Sequence, residues 1–174
     1  MIALQPFSRG SYRFELHGSF SLENGLLRIS WILNDPQSEV LQSPKDGKFT
    51  GTDFSRANDL WRETCFEAFW GIRESESYWE LNLSPEKRSW NLYRFDRYRQ
   101  PQPPEESEDF FLDRVEIRKG KVECFLRPNR EEKQLEASIC AVIKTERESC
   151  YFASKHEGDR PDFHRRSSFC IKID

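Results

Sequence analysis

The chain has 174 residues, and its 27 basic and 30 acidic side chains give a formal net charge of -3. This length suits one domain, and the near balance of charge excludes the basic excess that is typical of nucleic-acid-binding domains. No apolar run approaches the roughly 18 residues of a membrane span, so we expect neither nucleic acid nor a membrane as partner. The aromatic fraction of 14% indicates a core built from a few large side chains.

The N-terminal third carries the patterns of an antiparallel β protein. Residues 11–17 alternate between apolar and polar side chains, which predicts a half-buried strand. Two further apolar runs flank Asn24-Gly25, a pair that suits the two-residue type I′ turn of a hairpin. Periodicity is lost over residues 34–58, which carry turn signals at 43–47, so we expect a long loop there.

The central stretch, residues 59–99, contains four of the five tryptophans and three predicted strands. Residues 64–72 are apolar on both faces, as in a fully buried strand. Residues 78–84 alternate, and a proline at position 85 ends the strand. Residues 90–98 form the third predicted strand.

The remaining strands follow a polar, proline-rich connector at residues 100–109. Short periodic segments with turn signals between them predict strands at 112–118, 121–126, 134–145, 150–154 and 169–173. Many short strands and no long amphipathic helix indicate an antiparallel sandwich or barrel.

Polar residues lie within the aromatic-rich central strands. Glu67 lies in a strand that is apolar on both faces, so its carboxylate must be paired or must face a ligand. Asn82 lies on the adjacent predicted strand. Trp61, beside Arg62 and Glu63, could form an aromatic platform flanked by hydrogen-bonding groups, as a sugar ring requires. The alternative is a core tryptophan that caps the sandwich.

The third strand and the C-terminal region add further candidates. Arg94 and Asp96 share one face of the third strand and could bind ligand, or could pair internally, Arg94 with either Asp96 or Glu67. The eight-residue spacing of His156 and His164 matches no compact zinc motif. We therefore predict no metal site, and we expect His164 to act as a positioned hydrogen-bond donor.

The sequence carries no nucleotide-binding, P-loop, nucleophile-elbow or zinc-protease motif. Glu63 and Glu67 on one strand would lie about 13 Å apart, which exceeds the separation of a glycosidase carboxyl pair. Aromatic and basic residues interleave over 93–99, as in single-strand nucleic-acid binders, but acids elsewhere offset the charge. We therefore predict no catalytic residue.

Several blocks together resemble the bacterial DOMON-like domain family. They are Leu60-Trp61, residues 64–69 (TCFEAF), 80–85 (ELNLSP), 90–99 (WNLYRFDRYR), His156 and 161–164 (PDFH). The resemblance implies a β-sandwich related to family 9 carbohydrate-binding modules, of immunoglobulin-like or jelly-roll architecture, with a pocket for sugar or haem on one sheet. Met1 is the only methionine, which leaves bis-histidine haem ligation or none.

We therefore expect one all-β DOMON-like domain over residues 1–174 that binds a carbohydrate or a sugar-containing metabolite without catalysis. A haem-binding or redox module using His156 or His164 is the alternative, and a small enzyme with Glu67 or His164 as base is a third. The N-terminus has no basic region followed by an apolar run, so we expect no signal peptide and a cytoplasmic location. The predicted ligand-binding residues are Trp61, Arg62, Glu63, Glu67, Asn82, Arg94, Asp96 and His164.

Overall fold

The computed structural model of the protein describes residues 1–8, 10, 12–41, 49–130 and 134–174, so the turn signals at 43–47 lie outside the described residues. The described chain is built from short strands and two 3₁₀ turns, at Leu60–Arg62 and Arg166–Ser168. The strands are β1 (Ile2–Ala3), β2 (Gln5–Pro6), β3 (Glu15–Glu23), β4 (Leu26–Asn34), β5 (Phe49–Gly51), β6 (Ser55–Arg56), β7 (Cys65–Ile72), β8 (Tyr78–Ser84), β9 (Ser89–Phe95), β10 (Glu105–Glu106), β11 (Phe110–Arg118), β12 (Lys121–Pro128), β13 (Leu135–Lys144), β14 (Ser149–Ala153) and β15 (Ile171–Ile173).

The strands form two sheets. Sheet A has the order β1-β3-β4-β12-β11-β5, and sheet B has the order β10-β9-β8-β7-β13-β14-β2. In sheet B, β15 also pairs with β13, and β6 pairs in parallel with β9. The other strand pairings are antiparallel, so the prediction of an all-β antiparallel sandwich is confirmed. Within the described ranges, no helix has the length and apolar character needed to cross a membrane.

The hydrophobic core lies between the two sheets and is rich in aromatic rings, as the composition predicts. The Trp31 ring of β4 lies 5.7 Å from the Phe66 ring of β7, and its indole Nε1 donates to the carbonyl of Cys140 at 3.0 Å. The Phe20 and Trp70 rings meet across the same interface at 5.7 Å. These contacts join sheet A to sheet B over the middle strands.

The predicted hairpin at Asn24-Gly25 is confirmed, since both residues have the positive φ angles of a type I′ turn, 52° and 75°. Its first strand, β3, begins later than predicted and runs without a break to Glu23. The predicted loop at 34–58 contains two short strands, β5 and β6. Each is ordered by pairing with a distant strand, β11 or β9, which local periodicity cannot signal.

Strand β8 is buried on both faces. Its inner residues, including Trp79 and Leu81, pack toward sheet A, as the alternation predicts. On the outer face of sheet B, the C-terminal segment brings Phe163 and Phe169 against Tyr78 and neighbouring rings in a second hydrophobic cluster. This segment covers part of that face and leaves a cavity beside it.

Candidate functional site

A cavity of about 860 Å³ lies on the outer face of sheet B. Side chains of β7, β8, β9 and β13 form its floor, Tyr151 of β14 contributes to one side, and residues within 58–61, 99–104 and 161–164 form its walls. Its volume falls in the roughly 300–1,000 Å³ range of small-molecule sites. The resemblance implied a pocket on one sheet, and this is where the described structure places one.

Strand register explains why polar side chains meet on this floor. Glu67 of β7 lies directly opposite Asn82 of β8, so the two side chains share a face. Glu80 lies two residues before Asn82 and therefore points the same way, and Tyr93 of β9 lies opposite Glu80. The outer face thus presents a row of hydrogen-bonding groups within aromatic strands.

Four of the eight predicted ligand-binding residues line the cavity: Trp61, Glu67, Asn82 and His164. Trp61 lies on the 3₁₀ turn and is 51% exposed, so it is not the core tryptophan of the alternative interpretation. Its ring stands at the wall of the cavity, where a ligand could stack on it. The ligand-binding role of these four residues stays a prediction.

Arg62 and Glu63 follow Trp61 but do not line the described cavity. The Arg62 guanidinium lies 5.4 Å from the centre of the Trp61 ring and pairs with Asp59 at 3.5 Å. Glu63 Oε1 pairs with Lys87 Nζ at 2.8 Å. Both residues therefore make contacts at the surface next to the cavity, because the 3₁₀ turn directs consecutive side chains apart.

Arg94 and Asp96 are not brought together with Glu67 and Asn82. Arg94 lies opposite Trp79, so it points to the inner side of sheet B at the end of β9. Its guanidinium lies 3.6 Å from Asp109 and 4.0 Å from Asp96. Of the internal pairs considered, the structure therefore contains Arg94–Asp96, and Arg94–Glu67 is excluded by the opposite faces of the sheet.

The floor contains a buried pair of carboxyl groups, Glu67 and Glu80. Glu67 is 3% exposed, and its Oε1 has no hydrogen-bond partner. Burial, and next the nearby Glu80, raise the pKa of Glu67 well above its usual range. Glu80 Oε1 accepts from Asn82 Nδ2 at 2.8 Å. Burial raises the pKa of Glu80 to about 7, although Asn82 and Arg99 favour its ionised form.

His164 is held in one orientation by a short chain of hydrogen bonds. The backbone N–H of Arg99 donates to Tyr78 Oη at 3.0 Å, and Tyr78 Oη lies 2.8 Å from His164 Nδ1. Burial raises the pKa of Tyr78, and burial together with Arg99 lowers the pKa of His164 to about 3. We therefore expect the Tyr78 hydroxyl to donate a hydrogen bond to Nδ1, which leaves the proton of the neutral imidazole on Nε2. That nitrogen lies 3.7 Å from Glu80 Oε2.

Asp162 fixes the wall that carries His164. Its carboxylate accepts from Tyr98 Oη at 2.7 Å, Arg99 Nη2 at 3.0 Å and Arg165 Nε at 3.1 Å, and from the backbone N–H of His164 at 3.2 Å. Burial disfavours the ionised form, but these hydrogen bonds outweigh it and the pKa of Asp162 is lowered. The 161–164 wall is therefore tied to the end of the central stretch.

Several cavity residues were not predicted from the sequence: Glu80, Arg99, Asp162, Asn58 and Tyr93. The alternation of β8 did place Glu80 on the face of Asn82, which was the available signal. Asn58 accepts from Tyr93 Oη at 2.6 Å, yet it lies in a stretch without periodicity and gave no signal. Arg99 and Asp162 pair across 63 positions, a contact that no local pattern indicates.

Haem ligation does not fit the surroundings of His164. A haem ligand needs an imidazole nitrogen that is free to bind iron. Both nitrogens of His164 face Tyr78 or Glu80, whereas His156 bonds the carbonyl of Gln5 through Nε2 at 2.8 Å. Among the described residues, no group of three or more His, Cys, Asp or Glu side chains could hold a metal ion.

No protein-family model matches the chain, and no curated protein sequence matches it. The structure is similar to a crystal structure from Bacteroides uniformis described as a "putative carbohydrate-binding protein", with a TM-score of 0.60. The two chains are 9% identical, and the similarity covers 97% of this chain and 84% of that one. At this identity the comparison establishes a shared fold, and membership of the DOMON-like family stays a prediction.

Proposed function

We propose that the cavity on sheet B binds a carbohydrate or a sugar-containing small molecule without converting it. The observation that carries the proposal is the arrangement of an exposed tryptophan, Trp61, at the wall of a cavity whose floor holds Glu67, Glu80 and Asn82. A sugar ring has an apolar C–H face that stacks on an aromatic ring, and hydroxyl groups that bond to carboxyl and amide groups. The site offers both kinds of contact.

The rigidity of the walls supports binding. Asp162 ties Tyr98, Arg99 and Arg165 to the wall at 161–164, and Tyr78 orients His164. A site whose walls are ordered before the ligand arrives loses less conformational entropy on binding. The protein from Bacteroides uniformis that shares this fold supports the same class of ligand by analogy of fold alone.

The chemistry of the lining favours binding over catalysis. The described lining residues include no serine, threonine, cysteine or lysine that could act as nucleophile, and burial disfavours the ionised form that a Glu67 or Glu80 nucleophile would need. The Cys65 thiol lies beside Glu67, and burial raises its pKa, so it is not a thiolate. His164, with a pKa of about 3, is a poor base at neutral pH.

The proposal is tested with a panel of neutral sugars, amino sugars and nucleotide sugars, first by thermal shift and then by isothermal titration calorimetry. The matched variants are Trp61→Ala and Phe111→Ala, because these aromatic residues are 51% and 50% exposed and Phe111 lies on sheet A. We expect Trp61→Ala to weaken binding by roughly five- to thirtyfold, the loss typical of an aromatic contact residue. Phe111→Ala should leave binding unchanged. The proposal would be contradicted if no sugar of the panel binds, or if Trp61→Ala and Phe111→Ala change the affinity equally.

A further inference from the structure

We propose that the ligand carries a protonated amine, as an amino sugar does, and that its ammonium group binds at the carboxyl groups of Glu67 and Glu80. This inference rests on the proposed function and names its substrate class. It follows from the placement of two acidic side chains on the cavity floor and from the charges that surround them.

The two carboxyl groups lie on adjacent strands and on the same face. Glu67 faces Asn82 directly, and Glu80 is the diagonal neighbour on the same side of β8. Both are buried, with exposures of 3% and 7%. In the part of the chain that the structure describes, no arginine or lysine pairs with Glu67, and its Oε1 lacks a partner. An unpaired carboxylate in such a place is costly.

A neutral ligand does not require this arrangement. Glutamine side chains at both positions would also bond sugar hydroxyls, as donors and as acceptors, and would not repel each other. Two carboxyl groups become favourable when a cation lies between or beside them, because each then gains a charge-assisted hydrogen bond. An ammonium group supplies three donors and one positive charge.

The neighbouring groups supply that charge only in part, because Arg99 favours the ionised form of Glu80 but does not pair with either carboxyl group. Arg99 is bound to Asp162 through Nη2 at 3.0 Å. The thiols of Cys65 and Cys140 and the phenols of Tyr78 and Tyr93 are held neutral, since burial raises the pKa of each. Burial also lowers the pKa of the His164 imidazole, which stays neutral, whereas Asp162 is ionised and pairs with Arg99. The titratable groups that line the cavity or act on the carboxyl pair are Cys65, Cys140, Tyr78, Tyr93, Tyr151, His164, Arg99, Asp59 and Asp162.

Binding of an ammonium group should therefore displace a proton from the pair. The raised pKa of Glu67 and the pKa of about 7 for Glu80 mean that the free pair retains a proton near neutral pH. A cation favours the ionised carboxylates, so the proton leaves as the ligand binds. Affinity for a ligand whose amine stays protonated should rise as the pH increases through about 7.

The experiment compares the β-1,4 disaccharide of glucosamine with its N-acetylated counterpart, which has the same ring stereochemistry without the charge. Titration calorimetry, at a pH low enough to keep the sugar amine protonated and in two buffers of different ionisation enthalpy, measures affinity and proton release for the wild type, Glu67→Gln and Glu80→Gln. We expect the wild type to prefer the amino disaccharide by roughly 10- to 100-fold and to release protons on binding it. Glu67→Gln should abolish the preference and the proton release, because an amide carries no charge.

The outcomes separate this inference from the proposed function. Equal affinity for both sugars, lost in Trp61→Ala, would overturn the amine assignment and leave carbohydrate binding intact. A preference for the amino sugar that persists in both glutamine variants would also overturn it, because the charge would then bind elsewhere. Failure of both sugars and of the wider panel to bind would overturn both proposals.

Discussion

Glu80→Gln should stabilise the ligand-free protein above neutral pH. Glu80 is buried beside Glu67, and burial raises its pKa from an ordinary 4.5 to about 7. Ionisation is therefore harder in the folded protein than in the unfolded chain. Glutamine preserves the shape and the acceptor for Asn82 Nδ2, but it carries no charge at any pH.

The sign of the pH dependence follows from proton linkage. Because the folded-state pKa is the higher one, the native protein binds the proton more tightly between about pH 4.5 and 7. The stabilisation from this proton is complete below about 4.5 and is lost as the pH rises through about 7. The difference between the two pKa values corresponds to about 3 kcal/mol, which is the upper limit of the gain in Glu80→Gln at pH 8.

Urea denaturation at pH 4.5 and pH 8 measures this effect, with thermal melting as a second readout. A gain of this size in a chain of this length would raise Tm by up to about 6–12 °C at pH 8 and would change little at pH 4.5. Glu105→Gln, on the exposed strand β10, is the control and should show no such dependence. A Glu80→Gln protein that is less stable than the wild type at pH 8, or a matching gain in the control, would refute the reasoning.

Two further predictions concern packing and hydrogen bonding. Gly71→Ala should cost about 1–3 kcal/mol in urea denaturation and more than Gly18→Ala. The added Cβ at position 71 would lie 2.6 Å from the backbone carbonyl of Ser77, whereas at position 18 its nearest contacts are side-chain atoms of Ile139 and not backbone atoms. The reverse ranking would contradict this. Tyr78→Phe should cost about 1–3 kcal/mol, because a backbone amide and His164 Nδ1 both lose their partner. Nitrogen-15 NMR should place the wild-type imidazole proton on Nε2, and a proton on Nδ1 would show the proposed chain of donors to be wrong.

The sequence predicted which side chains of one strand share a face. It predicted only in part which side chains of neighbouring strands lie opposite each other. The pattern of β8 predicted that Asn82 points away from Leu81, and its neighbour β7 places Glu67 directly opposite. The third strand was harder to interpret, because residues 90–95 place large apolar or aromatic side chains together with a polar one on each face. The face of the sheet to which the Arg94 side chain points depends on the register between β9 and β8, and no local sequence pattern specifies that register.

The walls of the cavity could not be predicted because distant segments form them. Asp162 and Arg99 meet only after the C-terminal segment folds over sheet B. The 3₁₀ turn that exposes Trp61 begins after Asp59, whose φ of 60° lies in the left-handed region. Hydrophobic periodicity reports burial within regular strands and carries no information on such turns.

NMR of the tryptophan indole N–H groups shows directly whether the ligand binds in the cavity on sheet B. On titration with the tightest-binding sugar of the panel, the account predicts that the Trp61 indole resonance shifts, because the ring stands exposed at the cavity wall. The Trp31 resonance should stay in place, since its indole is bonded to Cys140 in the core. Saturable binding that leaves the Trp61 resonance unmoved, or that shifts residues around Phe111 on sheet A instead, would contradict the account.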